Sequence, residues 1–411
     1  MKKTKRTSRP KNSNQTQSGM GNAFARIKVV GIGGGGGNAV SRMSRQFVRG
    51  IDFMAINTDH QDLDHCDVKK KIYIGRNLTK GLGTGMNPDL GKQAAEENRS
   101  EIAEALHGAD LVFLAAGLGG GTGTGATPVV AEIAKQMGAL TLAFVTKPFT
   151  FEGGQRERIA QDGIMRLKDK VDALIVVPND RIFTIISKDT PIVKAFEAID
   201  DVLRHALQGI VELVLTPGMI NVDFADVKAI LQDAGSAIVG VGIASGQDRA
   251  IAAVEQALRS PLLEVNPEGA KGILFGISGR DLKMSEVNDA AKLVAQTADP
   301  AARIIFGAYH DKHLKEKQLK ITLIATGFSG AGIQPGSLFD NKSDMMRQSF
   351  GDIAPLDRMI EKAPEKNLSL GFGDVEGPLP PKEVKKPAPD SSKKKDEDVW
   401  DIPTFLRKKK R

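Results

Sequence analysis

One cysteine in 411 residues, Cys66, excludes an internal disulfide and any metal cage built from cysteines. The histidines His205, His310 and His313 are scattered without metal-ligand spacing, so no metal site on protein side chains is expected. No Gly-x-x-x-x-Gly-Lys-Ser/Thr run occurs, which excludes a P-loop NTPase. No apolar run approaches the roughly 18 residues of a membrane span. Met1 to Asn22 is polar throughout and lacks the apolar core of a signal peptide, so the expected location is the cytoplasm. Acidic residues are missing from the first 28 positions, which hold eight Lys/Arg. The formal net charge of +7 is therefore concentrated in that arm, and the rest is close to neutral. A nucleic-acid-binding body is not implied.

What is abundant is glycine, with 44 residues, in a chain long enough for two domains and tails at about 100–200 residues each. The stretch around which the chain is organised is Gly117-Leu-Gly-Gly-Gly-Thr-Gly-Thr-Gly125. An apolar strand, Asp110 to Ala116, runs into it, and a helical pattern, Pro128 to Lys135, leaves it. Glycines let backbone N–H groups point inward, and the hydroxyls of Thr122 and Thr124 add donors. A nest of this kind at a helix N-terminus binds anions, because orphan amides and the helix dipole both favour negative charge.

A second strand–glycine–helix unit lies upstream: Ile27 to Ile32, then Gly33-Gly-Gly-Gly-Gly-Asn38, then a helix over Ala39 to Val48. The next strand, Asp52 to Asn57, ends at Thr58-Asp59, about 20 residues past the loop, where a dinucleotide fold places a ribose ligand. A Rossmann-type oxidoreductase thus stays open at this point. Gly81-Leu-Gly-Thr-Gly85 is a third glycine-rich loop, followed by a helix from Pro88 to Leu106. Strands at Leu140 to Val145 and Ala173 to Val177 continue an alternation that predicts a parallel sheet covered on both faces. Two phosphate-type loops in one domain exceed what a dehydrogenase needs.

Gly119-Gly-Gly-Thr-Gly-Thr-Gly125 resembles the GTP-binding fingerprint of the tubulin/FtsZ superfamily, and Ile32-Gly-Gly-Gly-Gly-Gly-Asn-Ala39 resembles the first nucleotide loop of its bacterial FtsZ branch. The similarity runs over about residues 27–330 and resumes at the C-terminus. It implies an α/β fold: a Rossmann-like parallel-sheet GTP-binding domain, a long central helix, a second smaller α/β domain and disordered tails. The expected limits are a basic arm at 1–25, the GTP-binding domain at 26–190, the connecting helix at 191–217 and the C-terminal GTPase-activating domain at 218–330. A linker at 331–395 and a terminal peptide at 396–411 follow.

The resemblance also assigns residues. GTP or GDP lies on Gly33, Gly34, Gly35, Gly36, Gly37 and Asn38, and on Gly119, Gly120, Gly121, Thr122, Gly123 and Thr124. Mg2+ rides on its phosphates, and the family pattern leaves room for a monovalent cation. Glu152 and Arg156, four apart, and Asn179 are expected at the ribose, with a surface ion pair as the plainer reading of the first two. On the central helix, started by Thr190 as N-cap with Pro191 and stopped at Pro217-Gly218, Phe196 packs on guanine. Asp200 reads its N1/N2 edge, a role that Asp201 can share, because a carboxylate accepts from the two donors there.

Beyond the helix, Asn221-Val-Asp-Phe-Ala-Asp226 reads locally as an acidic cap, with Asp223 starting a helix over Phe224 to Ala234. The resemblance makes it the catalytic loop: Asn221, Asp223 and Asp226 enter the site of the next subunit and orient the attacking water. It implies head-to-tail self-assembly into a division ring at midcell, beneath the inner membrane. A tubulin-like GTPase with another cytoskeletal task is the alternative. At the C-terminus, Asp401, Ile402, Pro403, Phe405, Leu406 and Arg407 resemble the family peptide that docks on membrane tethers such as FtsA and on division regulators.

Overall fold

The computed structural model describes residues 25–45, 50–184, 186–187, 189–216, 218–259, 268–312 and 314–328. The expectations for the basic arm, the linker and the peptide Asp401 to Arg407 lie outside these residues, as do Pro217 and His313.

The first half alternates strand and helix. It runs β1 (Ile27–Ile32), α1 (Gly33–Ser44), β2 (Ile51–Asn57), α2 (His60–His65), β3 (Lys70–Tyr73), α3 (Arg76–Thr79), α4 (Pro88–Glu97) and α5 (Arg99–Leu106). Then come β4 (Leu111–Gly117), α6 (Thr122–Gln136), β5 (Leu140–Lys147), α7 (Gly154–Lys168) and β6 (Ala173–Pro178). These six strands pair in parallel in the order β3-β2-β1-β4-β5-β6. That is the doubly wound order, whose reversal between β1 and β4 opens a crevice at the carboxyl ends of the strands.

Both faces of this sheet are buried, as the near-continuous apolar strands require. On β4, Val112, Leu114 and Ala116 pack with Ala94, Ile102, Val130 and Ile164 from α4 to α7. The alternate residues Leu111, Phe113 and Ala115 pack on the opposite face with Val40 of α1. The same face receives Leu207 and Ile210 of the long helix α8 (Ile192–Leu215). Burial of each such side chain contributes about 1.5–3 kcal/mol.

After α8 come α9 (Phe224–Leu231), β7 (Gly235–Ser245), α10 (Arg249–Leu258), β8 (Gly272–Gly279), α11 (Met284–Thr297), β9 (Arg303–His310) and β10 (Gln318–Thr326). Here β10 pairs antiparallel with β7 and β8, and β8 pairs parallel with β9. β7 continues the first sheet through only two residue pairs with β6, Ala173 with Gly235 and Leu174 with Ser236. Helix α8 is tied to this second half by charge and hydrogen bonding. Lys320 Nζ on β10 donates to both oxygens of Glu212, at 3.0 and 2.7 Å, and the Tyr309 hydroxyl donates to the Leu213 carbonyl at 3.4 Å.

Several element limits differ from the sequence-based expectation, each for a local reason. The upstream glycines are no loop before a helix: α1 begins at Gly33 itself. Gly33 turns the chain at φ 70°, and a Cβ there would stand 2.9 Å from the Gly123 amide nitrogen. One turn on, Gly36 lies directly on the Ala115 carbonyl of β4, where no side chain fits. Likewise α6 starts at Thr122, six residues before the periodic stretch, and carries Pro128 inside. The single helix expected over Pro88 to Leu106 breaks at Asn98, whose side chain accepts the Gly75 N–H at 3.0 Å and donates to Glu101 at 3.0 Å.

Thr190 does not cap α8. Its hydroxyl pairs with Ser187 at 2.9 Å, and Pro191 takes the N-cap position. Helix α9 stops at Leu231 instead of Ala234, because Asp233 adopts φ 51° and binds Lys135 at 2.7 Å.

Candidate functional site

Where the strand order reverses, a cavity of about 550 Å3 opens at the carboxyl ends of β1 and β4. Pockets for small molecules usually span about 300–1,000 Å3. One end is built from backbone. The N-termini of α1 and α6 converge on it, bringing Gly33, Gly34, Gly35 and Gly36 beside Gly120, Gly121, Thr122 and Gly123. Each helix leaves its first N–H groups without intrahelical partners, and both dipoles place their positive ends there. Two converging termini make an anion cradle suited to a polyphosphate.

The threonines of the second loop divide their work. Thr122 lines the cavity, and its Oγ1 is held by the hydroxyls of Thr58, at 2.7 Å, and Thr84, at 3.3 Å. Thr124 does not reach the cavity. Its Oγ1 accepts the Gly119 N–H at 3.0 Å and closes the loop from behind. Gly37 and Gly119 are likewise absent from the lining, although Asn38 is part of it.

The middle of the cavity carries polar side chains. Arg156 Nη1 donates to Glu152 at 2.8 Å, and the other oxygen of Glu152 accepts the Phe149 N–H at 2.9 Å. Asn179 is only 9% exposed and lines the same wall, and its Oδ1 has no hydrogen-bond partner. A buried carbonyl oxygen left so is costly unless a ligand donates to it.

The far end is formed by α8. Phe196 lines it at 41% exposure and is backed edge-on by Phe149, with ring centroids 5.6 Å apart. Asp200 forms an ion pair with Arg42 of α1. Burial pushes the Asp200 carboxyl up to about 6, and the neighbouring Arg42 guanidinium opposes that rise. Asp201 points elsewhere: it is exposed, binds Arg204 at 3.0 Å, and lines a neighbouring recess of about 310 Å3 instead.

Asn221, Asp223 and Asp226 do not line the cavity. They lie beyond the 24-residue helix α8, about 36 Å long at about 1.5 Å per residue. All three are exposed. The segment is stitched to β9, the Ile220 carbonyl accepting the Ala308 N–H at 3.0 Å. Asn221 Oδ1 accepts the Gly218 N–H at 2.6 Å. Asp223 occupies the N-cap of α9 as the local pattern predicts, but through its backbone: its carbonyl accepts the Asp226 N–H at 3.0 Å, and its carboxylate makes no cap bond.

Asp59, the residue on which a dinucleotide reading depended, is spent locally. Its Oδ1 accepts the Asp62 N–H at 3.1 Å and caps α2. Sequence reasoning passed over Arg42, Thr84, Thr146 and Val193, all in the lining. Arg42 stands four residues after Asn38 on one helix face, a spacing that could have drawn it in. Thr84 lies in the third glycine-rich loop, Gly81 to Gly85.

Comparison with known proteins adds sequence evidence to this geometry. Residues 26–187 match the model of the Tubulin/FtsZ family GTPase domain, and residues 235–329 match that of the FtsZ family C-terminal domain. An FtsZ dimer from M. jannaschii is 46% identical, over 74% of this chain and 88% of that one, with a TM-score of 0.70. CetZ2 from Haloferax volcanii, solved as a GTPγS-bound protofilament, shares the fold at 23% identity and a TM-score of 0.65, over 79% of this chain and 99% of that one.

Proposed function

The chain belongs to the tubulin/FtsZ family and is a GTPase, and from that premise we propose that it polymerises head to tail, each bound GTP being hydrolysed with the 221–226 loop of the next subunit. The observation that carries this reading is a division of labour. The cavity holds what binding needs, but its acidic side chains, Glu152 and Asp200, sit at the middle and far end, away from the glycine cradle. The carboxylates of Asp223 and Asp226 are exposed at the other end of α8 and, among the described residues, have no hydrogen-bond or ion-pair partner. Phosphoryl transfer asks chiefly for positioning and electrostatics, which a carboxylate aligning water can supply once a neighbour delivers it.

Within the cavity, the amides of α1 and α6 hold the phosphates, Glu152, Arg156 and Asn179 hold the ribose, and Phe196 and Asp200 hold guanine. The cradle residues are glycines and Thr122, with no carboxylate among them. A Mg2+ ion therefore fits as a ligand of the phosphates, where it would supply charge neutralisation, and not as an ion held by protein oxygens. A head-to-tail contact is heterologous and does not close, so it yields a filament.

In the cell the filament forms the bacterial division ring at midcell. Residues 401–407 link it to membrane tethers such as FtsA and to division regulators. Among the described residues no helix is long and apolar enough to cross a membrane. The limits proposed for the units are 26–190 for GTP binding, 191–217 for the connector and 218–330 for the activating domain. The test is GTP hydrolysis per subunit across protein concentration. A specific rate near zero that rises past a threshold is expected; one constant down to high dilution would overturn the shared site.

A further inference from the structure

Arg42 has no role in the reading so far, yet its side chain lines the far end of the cavity and pairs with Asp200. We propose that Arg42 is a positioning residue for base recognition: its guanidinium anchors Asp200 so that a carboxylate, and not a carboxylic acid, meets the purine edge. The inference rests on the proposal that guanine lies against Asp200.

The geometry makes this anchoring necessary. The Asp200 side chain is 13% exposed and that of Arg42 is 41% exposed, so the carboxylate sits in the drier half of the pair. Burial alone favours the neutral acid. Guanine presents two donors, N1–H and the N2 amino group, at the edge that Asp200 faces in this reading. An ionised carboxylate accepts from both, whereas a protonated one keeps a hydrogen where an acceptor is wanted.

The charged groups around Asp200 leave Arg42 as its counter-ion. Arg45, also near the end of α1, is engaged by Asp67 at 2.9 Å, and Arg204 by Asp201 at 3.0 Å. Glu197 and Asp201, on the same helix, oppose ionisation. On the short turn Asn179–Thr184 packed against α8, Asp180 is held by Thr150 and Arg181 is exposed. With Arg42 in place, Asp200 titrates near 6. Removing an adjacent opposite charge raises such a carboxyl by about one unit or more.

The sign follows from competition between a proton and the base for one carboxylate. Affinity for GTP is full above the carboxyl's ligand-free titration point and falls as pH drops through it. Between pH 8 and pH 6 the fall is about twofold for the native chain and about tenfold once the midpoint has moved up one unit.

The experiment is direct binding of GTP and ITP, which lacks the N2 amino group, to the full chain from pH 5.5 to 8.5. It compares the native protein with Arg42→Ala, Arg42→Lys and Asp200→Ala. The inference expects the midpoint for GTP to move upward in Arg42→Ala, the preference for GTP over ITP to shrink at pH 6 but return at pH 8, and Arg42→Lys to restore most of it. A uniform loss of affinity in Arg42→Ala, with the midpoint unmoved, would overturn it, since Arg42 would then touch the nucleotide directly. If Asp200→Ala keeps the preference for GTP, the placement of the base is wrong. If Asp200→Ala abolishes the preference while Arg42→Ala titrates like the native chain, only the role of Arg42 fails. Circular dichroism of each variant confirms that the half-exposed position tolerates the change.

Discussion

Two subunits, each defective in a different half of the shared site, should restore activity to each other. Asp223→Ala removes a carboxylate from the loop while leaving the cavity untouched, because about 18 Å of α8 runs from Leu203, its last residue in the cavity wall, to its end at Leu215. The complementary change is Gly120→Phe. Gly120 lines the cavity, and a Cβ there meets nothing within 4 Å, so the larger side chain enters without displacing backbone and blocks the nucleotide. Each variant alone should be nearly inactive, the first for want of a catalytic loop and the second for want of GTP.

In an equal mixture, half the subunits carry GTP, and half of their neighbours present an intact loop. About one quarter of the wild-type rate per total subunit should therefore return, given a heterologous contact in which each partner offers a different face. The assay is steady-state phosphate release above the assembly threshold at several mixing ratios, after binding measurements confirm that Gly120→Phe no longer takes GTP. The product of the two fractions predicts a maximum at equal mixing. A mixture that never exceeds the sum of its parts would refute the shared site, as would an Asp223→Ala protein that turns over GTP normally by itself.

Gly36→Ala puts a methyl group onto the Ala115 carbonyl and should push α1 off β4, costing about 1–3 kcal/mol in urea unfolding and weakening GTP binding in calorimetry. Arg249 is 3% exposed and donates to Glu286 at 2.8 and 3.0 Å and to Asp281 at 2.8 Å. Arg249→Met should destabilise by about 3 kcal/mol, the low end for breaking a buried pair, because Asp281 is half exposed and stays hydrated. Hydrogen bonds from Arg249 hold both carboxyls below their ordinary values. Their stabilisation is complete above the unfolded values of about 4 and is lost as pH falls through the lower folded ones. The native melting temperature should thus fall more steeply between pH 5 and 3 than that of Arg249→Met; parallel curves would mean that the cluster contributes no such linkage.

The amino-acid sequence alone determined the local elements. The near-continuous apolar runs Leu111 to Ala116 and Ile27 to Ile32 report strands buried on two faces, and glycines between a strand and a helix report backbone that must approach something closely. These are short-range steric and solvation effects, written wherever a Cβ is present or missing. Even so, α1 and α6 each start six residues before the periodic pattern that reports them. Glycines and threonines have poor intrinsic helix propensity, and only packing against β4 and β1 makes Gly33 and Thr122 helical.

Tertiary structure decided the rest. It set the two glycine segments side by side, because strand order reverses between β1 and β4. It brought Thr58, Thr84 and Thr122 to one point, turned Thr124 away from the cavity, and admitted Asp200 but not Asp201 to the cavity wall. It also met Asp200 with Arg42, a pairing with no trace in local pattern, since the two lie on elements joined only by the crossing of α1 and α8. Which side chains share a cavity depends on how elements stack, and stacking is settled by burial summed over the whole sheet.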